Sequence, residues 1–188
     1  MIKKFIGASA AALAVAAGSI AWAAAPASAA GGDGKVISKT NLVVRHAPST
    51  HAKSVGSIKP GKVIPLSCKV TGTNVDGNNR WYLLPGSDSP EWVSARYIQN
   101  IGSAPGWCGN DERFVGRTTA TVTRRVAPNT ADASAGSYAK GAGVDIICKA
   151  SAQNIDGNKI WYWTTNHQWV SARYVSNVGR APNWCVEF

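Results

Sequence analysis

The chain has 188 residues, with 20 Lys and Arg against 10 Asp and Glu and a formal net charge of +10. That excess favours an anionic partner over a cationic one. The basic residues are scattered from Lys35 to Arg180 without a dense run, which counts against nucleic acid.

Lys3 and Lys4 precede a long uncharged, alanine-rich stretch that ends in Pro26-Ala27-Ser28-Ala29-Ala30. A basic start, an apolar middle and a small-residue end are the marks of a secretory signal peptide, here residues 1–30, cleaved after Ala29 or Ala30. A retained membrane anchor is the competing reading, but alanine contributes little to insertion and Gly18-Ser19 weakens the centre. Cleavage leaves 18 basic and 10 acidic residues, a charge of +8. The expectation is a secreted protein, extracellular or cell-wall associated, with no membrane contact after cleavage.

Residues 31–35, rich in glycine, read as a flexible lead. Short β-branched and aromatic runs follow at Val36-Ile37, Leu42-Val43-Val44-Arg45, Gly56-Ser57-Ile58, Val63 to Val70, Trp81-Tyr82-Leu83-Leu84 and Trp92-Val93. Pro48, Pro60-Gly61, Asp76-Gly77-Asn78 and Pro85-Gly86 separate them. Short strands at close spacing with turn chemistry between them predict an all-β barrel or sandwich. The one helical expectation is a single turn at Ser94-Ala95-Arg96-Tyr97.

From Trp92 the chain repeats itself. Trp92-Val93-Ser94-Ala95-Arg96-Tyr97, then Gly102, Ala104-Pro105 and Trp107-Cys108, recur as Trp169-Val170-Ser171-Ala172-Arg173-Tyr174, Gly179, Ala181-Pro182 and Trp184-Cys185. Upstream, Ala47-Pro48 matches Ala127-Pro128, Cys68-Lys69 matches Cys148-Lys149, Asp76-Gly77-Asn78 matches Asp156-Gly157-Asn158, and Trp81-Tyr82 matches Trp161-Tyr162. The offset is eighty residues at first and seventy-seven at the end. The extra residues fall within 84–91, read as the one place where the copies differ in shape. The copies span 36–108 and 118–185, with the charged segment 110–117 as a linker short enough that they touch. Second-copy strands are expected around Ala120-Thr121-Val122, Val144 to Cys148, Ile160 to Trp163 and Gln168-Trp169-Val170, and looser turns over 131–143.

Four cysteines in an exported chain, one matched pair per copy, read as structural disulfides. Of three connectivities, Cys68–Cys108 with Cys148–Cys185 alone lets each copy fold by itself. Each bridge closes a loop of about forty residues, which in the chain-entropy account stabilises by roughly 4 kcal/mol.

At this point the chain resembles the bacterial SH3-like (SH3b) domain, in the tandem, disulfide-containing form of secreted actinobacterial proteins. The residues that carry the resemblance are Leu42-Val43-Val44-Arg45 with Pro48-Ser49-Thr50, Gly56, Gly61, the Gly77-Asn78 turn, Trp81, and Trp92-Val93 with Tyr97-Ile98. The second copy departs at Val122-Thr123-Arg124-Arg125 and Asn129, and its resemblance rests on Cys148 to Cys185. The resemblance implies two small SH3-like β-barrels in tandem, each with one internal disulfide. It also implies recognition of peptides or cell-wall glycopeptide, a task such domains usually perform as appendages to hydrolases.

No catalytic residue, metal or cofactor is expected. His46, His51 and His167 have no counterparts in the other copy, and the cysteines are paired. The Asp-Gly-Asn segments carry too few carboxylates for calcium and suit hairpin turns. Trp81, Trp92, Trp161 and Trp169 read as barrel residues. Candidate ligand contacts are Trp163, Tyr82, Tyr162, Tyr97, Tyr174, Trp107 and Trp184 as flat rings in a shallow groove, with Arg96 and Arg173 to meet a carboxylate or phosphate. Trp163 faces Leu83 in the alignment and so distinguishes the copies. The function expected is non-enzymatic binding of cell-wall peptidoglycan or an associated anionic polymer by a monomer. The other reading is a secreted protein–protein interaction module, an inhibitor or signalling factor, that uses the 84–91 hairpin.

Overall fold

The computed structural model describes residues 32–86, 89–109 and 112–185. The expected signal peptide lies outside them, as do the middle of the 84–91 hairpin and part of the linker. The chain is all-β. The first copy contains β1 (Asp33–Val36), β2 (Leu42–Arg45), β3 (Ser54–Ile58), β4 (Val63–Pro65), β5 (Lys69–Val75), β6 (Asn78–Leu84), β7 (Glu91–Ser94) and β8 (Ile98–Ile101). The second contains β9 (Phe114–Thr118), β10 (Val122–Arg125), β11 (Ser134–Tyr138), β12 (Gly143–Ile155), β13 (Asn158–Thr164), β14 (Trp169–Ser171) and β15 (Val175–Val178). The predicted helical turn is present in both copies, as 3-10 turns at Ala95–Tyr97 and Ala172–Tyr174. Ser94 and Ser171 cap them, each hydroxyl accepting from the backbone N–H two residues on.

Among the described residues every strand ladder is antiparallel. In the first copy the orders are β3-β2-β7-β6-β5 and β4-β1-β8, and in the second a single sheet runs β11-β10-β14-β13-β12-β9-β15. The difference lies where β12 runs unbroken through Asp145, paired with Val115, whereas in the first copy β4 ends at the counterpart Pro65 and β5 begins only at Lys69. The disulfides are Cys68–Cys108 and Cys148–Cys185, one inside each copy as read from the sequence. The Asp-Gly turns carry positive φ at both central residues, 46° and 85° at Asp76-Gly77 and 47° and 87° at Asp156-Gly157. That is the conformation which joins two twisted strands by two residues.

Three expectations need correction. The supposed lead contributes β1, and the supposed linker contributes most of β9. Both strands escaped notice because each places a glycine where the barrel wall is too tight for a side chain. A Cβ on Gly34 would stand 2.4 Å from Ile98, and one on Gly116 would stand 2.4 Å from Val175. The stretch 131–143 holds a strand, β11, paired with β10 across a bulge.

Strand alternation organises the interior. On β6 and β7, Tyr82 and Val93 point into the first barrel with Val36, Leu42, Val44, Leu66 and Ile98. Trp81, Leu83 and Trp92 point the other way. On β13 and β14, Tyr162 and Val170 fill the second barrel with Phe114, Val122, Val144, Ile146 and Val175. Trp161, Trp163 and Trp169 again point outward. The two outward faces meet in one core with Val70, Ala150, Ile147 and both disulfides. The tryptophans read as barrel residues therefore join the copies to each other. Trp169 Nε1 donates to Thr71 O at 2.8 Å, Thr71 Oγ1 to His167 O at 2.9 Å, Thr73 Oγ1 to Asp132 Oδ2 at 2.6 Å and Asn129 Nδ2 to Ser49 Oγ at 2.9 Å, all across the junction.

Candidate functional site

The nine candidate residues separate by burial. Tyr82 and Tyr162 are core residues, and the Tyr162 hydroxyl donates to Asn177 Oδ1 at 2.9 Å. Trp163, expected at an open groove, is 0% exposed, because its strand's outward face is covered by the first copy. Trp107 is half-buried at the junction, stacked on His167 with ring centroids 4.0 Å apart. His167 in turn stacks 5.6 Å from Trp163, so it is a packing residue and not the plain surface polar group read from its hairpin. Burial, and next the Arg80 charge, hold its pKa below 6.5. Arg80 lies 4.7 Å over Trp107.

Tyr97, Tyr174, Arg96, Arg173 and Trp184 reach the surface. The Tyr97 hydroxyl donates to Asp76 Oδ2 at 2.7 Å, and the Tyr174 hydroxyl to Asp156 Oδ2 at 2.5 Å. Each hydrogen bond holds its phenol pKa above 10.0 and ties the 3-10 turn to the Asp-Gly hairpin. Arg96 and Arg173 lie 5.9 and 5.7 Å over the tyrosine rings beside them. Arg45 Nη1 donates to Ala52 O at 2.7 Å, and Arg125 Nη1 to Asp132 O at 3.0 Å, so this matched pair braces loops.

Around Tyr97 these parts line a groove of about 610 Å³. Tyr97, Val43 and Ile37 supply apolar surface, and Arg96, Arg45 and Lys39 supply positive charge. Asp76 is the one carboxylate in the lining, and Tyr97 occupies it. The Arg96 guanidinium makes no side-chain hydrogen bond among the described residues and is available to an incoming anion. A cleft with an aromatic floor and cationic rims suits an extended peptide or glycopeptide carrying a carboxylate.

One wall of the groove was not anticipated. Val36 and Thr118 are equivalent, since each accepts from the glycine of the next turn, Gly61 and Gly141, at 2.8 Å. From there to the next strand the first copy has five residues, 37–41, and the second has three, 119–121. The copies thus differ in shape at a second place besides 84–91, and all five residues of the longer loop line the groove. Counting back from the matched Arg45 and Arg125 to these strands would have exposed the difference, had β1 and β9 been recognised.

No protein-family model matches the chain, and neither does any curated protein. Among solved structures, the chain is similar to the CBD of the endolysin LysPBC5 at 11% identity and a TM-score of 0.31, over 80% of this chain and 96% of that one. It is similar to NlpC2 from Trichomonas vaginalis at 11% identity and a TM-score of 0.28, over 77% of this chain and 47% of that one, about half its length.

Proposed function

We propose that this chain is a secreted, non-enzymatic binding protein whose first copy holds peptide or glycopeptide of the cell envelope in the groove at Tyr97. The observation that carries the reading is the pairing of an open aromatic surface with an unengaged guanidinium, Arg96, in a groove of about 610 Å³. The charge of +8 after signal removal agrees with an anionic polymer, the paired cysteines with an oxidising compartment, and the sequence resemblance with a wall ligand. The second copy has the tyrosine and arginine but only the three-residue loop. It therefore contributes less to this site.

Co-sedimentation with purified cell-wall sacculi, before and after acid stripping of anionic polymers and across a salt series, tests the reading. Binding that survives stripping and salt, and falls when Tyr97 and Arg96 are both replaced by alanine, is the expected result. Binding unchanged in that double variant removes the groove from the site. Loss on stripping alone assigns the attraction to charge and not to glycopeptide.

A further inference from the structure

Lys69 with Trp107 and Lys149 with Trp184 are matched pairs beside the two disulfides. Each lysine forms a parallel backbone bridge with its tryptophan, and the ammonium groups lie 5.4 and 5.1 Å from the ring centroids. The first pair is spent inside the molecule. Lys69 Nζ donates to Pro105 O at 2.6 Å, and Trp107 is taken up by His167 and Arg80. The second pair has no such partners. Ile160 stands where Arg80 stands in the first copy, Lys149 Nζ makes no hydrogen bond among the described residues, and Trp184 is 41% exposed.

The internal contact at Trp107 displays what this arrangement accepts, since a flat six-electron ring, the His167 imidazole, lies stacked on the indole. At Trp184 the ammonium, held over the ring, makes no hydrogen bond among the described residues. An exposed indole offers stacking area to any ring with an apolar face, and an ammonium beside it selects a ring that carries an anion. A neutral sugar would leave the lysine unused, and a phosphate chain without a ring would leave the indole unused. The geometry points to Lys149 and Trp184 as a second binding site, for a sugar ring bearing a carboxylate. It lies in the second copy and does not depend on the groove at Tyr97.

The test is heteronuclear NMR of the disulfide-bonded protein, titrated with a uronic-acid disaccharide, its methyl ester and a neutral disaccharide. The expected result is a saturable shift of the Trp184 indole signal with the acid, and a weaker response to the ester and the neutral sugar. Trp184→Ala and Lys149→Gln should each weaken the acid by about tenfold, and Lys149→Gln should also erase the preference of acid over ester. Trp184→Phe keeps a flat ring next to Cys185 and should retain most of the affinity, which separates loss of stacking from loss of fold. Alanine at Tyr97 and Arg96 should leave this titration unchanged, so failure of the groove and failure of this site are told apart. Equal binding of the neutral disaccharide, shifts centred away from Trp184, or unaltered affinity in Trp184→Ala would each overturn the assignment.

Discussion

Trp92 and Trp169 occupy matching positions and are both fully buried at the junction, yet their indole N–H groups fare differently. Trp169 Nε1 donates to Thr71 O at 2.8 Å, whereas Trp92 Nε1 has no hydrogen-bond partner among the described residues. Phenylalanine at either position removes the same atoms and leaves a comparable void, so the transfer and cavity costs nearly cancel in a comparison. What remains is the hydrogen bond. Trp169→Phe takes from the Thr71 carbonyl its junction partner, at about 1–3 kcal/mol, while Trp92→Phe removes a donor that was already unpaired. Trp169→Phe should therefore cost about 1–3 kcal/mol more than Trp92→Phe. For a chain of this size each kcal/mol lowers Tm by roughly 2–4 °C. Equilibrium urea unfolding followed by far-ultraviolet circular dichroism, with the disulfides intact, reads the difference. Equal costs, or a larger cost at Trp92, would refute the reasoning.

Three further outcomes are expected. Because hydrogen bonds to Asp76 and Asp156 raise the Tyr97 and Tyr174 phenol pKa values above 10.0, these contacts contribute fully below pH 10.0 and are lost as pH rises through the raised values. Asp76→Asn should bring the Tyr97 ultraviolet absorbance titration back toward 10.0. His167 titrates below 6.5, so its stacking contribution is present above pH 6.5 and lost as pH falls through the depressed value. In an NMR titration of its ring, Arg80→Ala should restore the smaller part of the shift, since burial is the larger cause. Finally, the first copy expressed alone, residues 32–109, would expose Trp81 and Trp92, roughly 300–500 Å² of indole surface. At about 25 cal/mol per Å² that is an upper bound of ~8–12 kcal/mol, comparable to the whole stability of a small domain. The fragment should show no cooperative thermal unfolding, and a sharp transition near that of the whole chain would contradict the shared core.

What was legible in the sequence was whatever left a chemical mark on one strand at a time. The matched Cys68 and Cys108, the Asp76-Gly77 turn and the Ser94-capped turn at Arg96 each state their role locally. The junction was not legible, because period-two alternation says that Trp81 and Tyr82 face opposite ways without saying that both sides are buried. Trp161, Tyr162 and Trp163 form a continuous aromatic run. Such a run marks a strand covered on two faces, and this signal was available to the reading that placed Trp163 at an open groove. The groove's long loop stayed hidden for another reason. The strands that lead into it and into its short counterpart hold Gly34 and Gly116, residues that tight packing demands and that strand propensity disfavours.

The junction also explains how two copies of one module come to present different surfaces. In an exact two-fold pairing Trp92 Nε1 would find the Ser151 carbonyl as Trp169 finds that of Thr71, and Trp107 and Trp184 would be covered alike. Instead one indole is bonded and the other unpaired, one ring is stacked and the other is 41% exposed. The asymmetry tracks the sequence. Trp163 replaces Leu83, and the short hairpin that carries His167 replaces the longer one at 84–91, so the second copy can reach over Trp107 with a ring of its own. The first copy gives up Trp107 to that contact, ties Lys69 to its own Pro105 carbonyl, and keeps the long loop beside Tyr97. The second copy has the short loop and keeps Trp184 and Lys149 open. The two copies thus present different surfaces, and a polymer that fits both would be held at two points set by the shared tryptophan core.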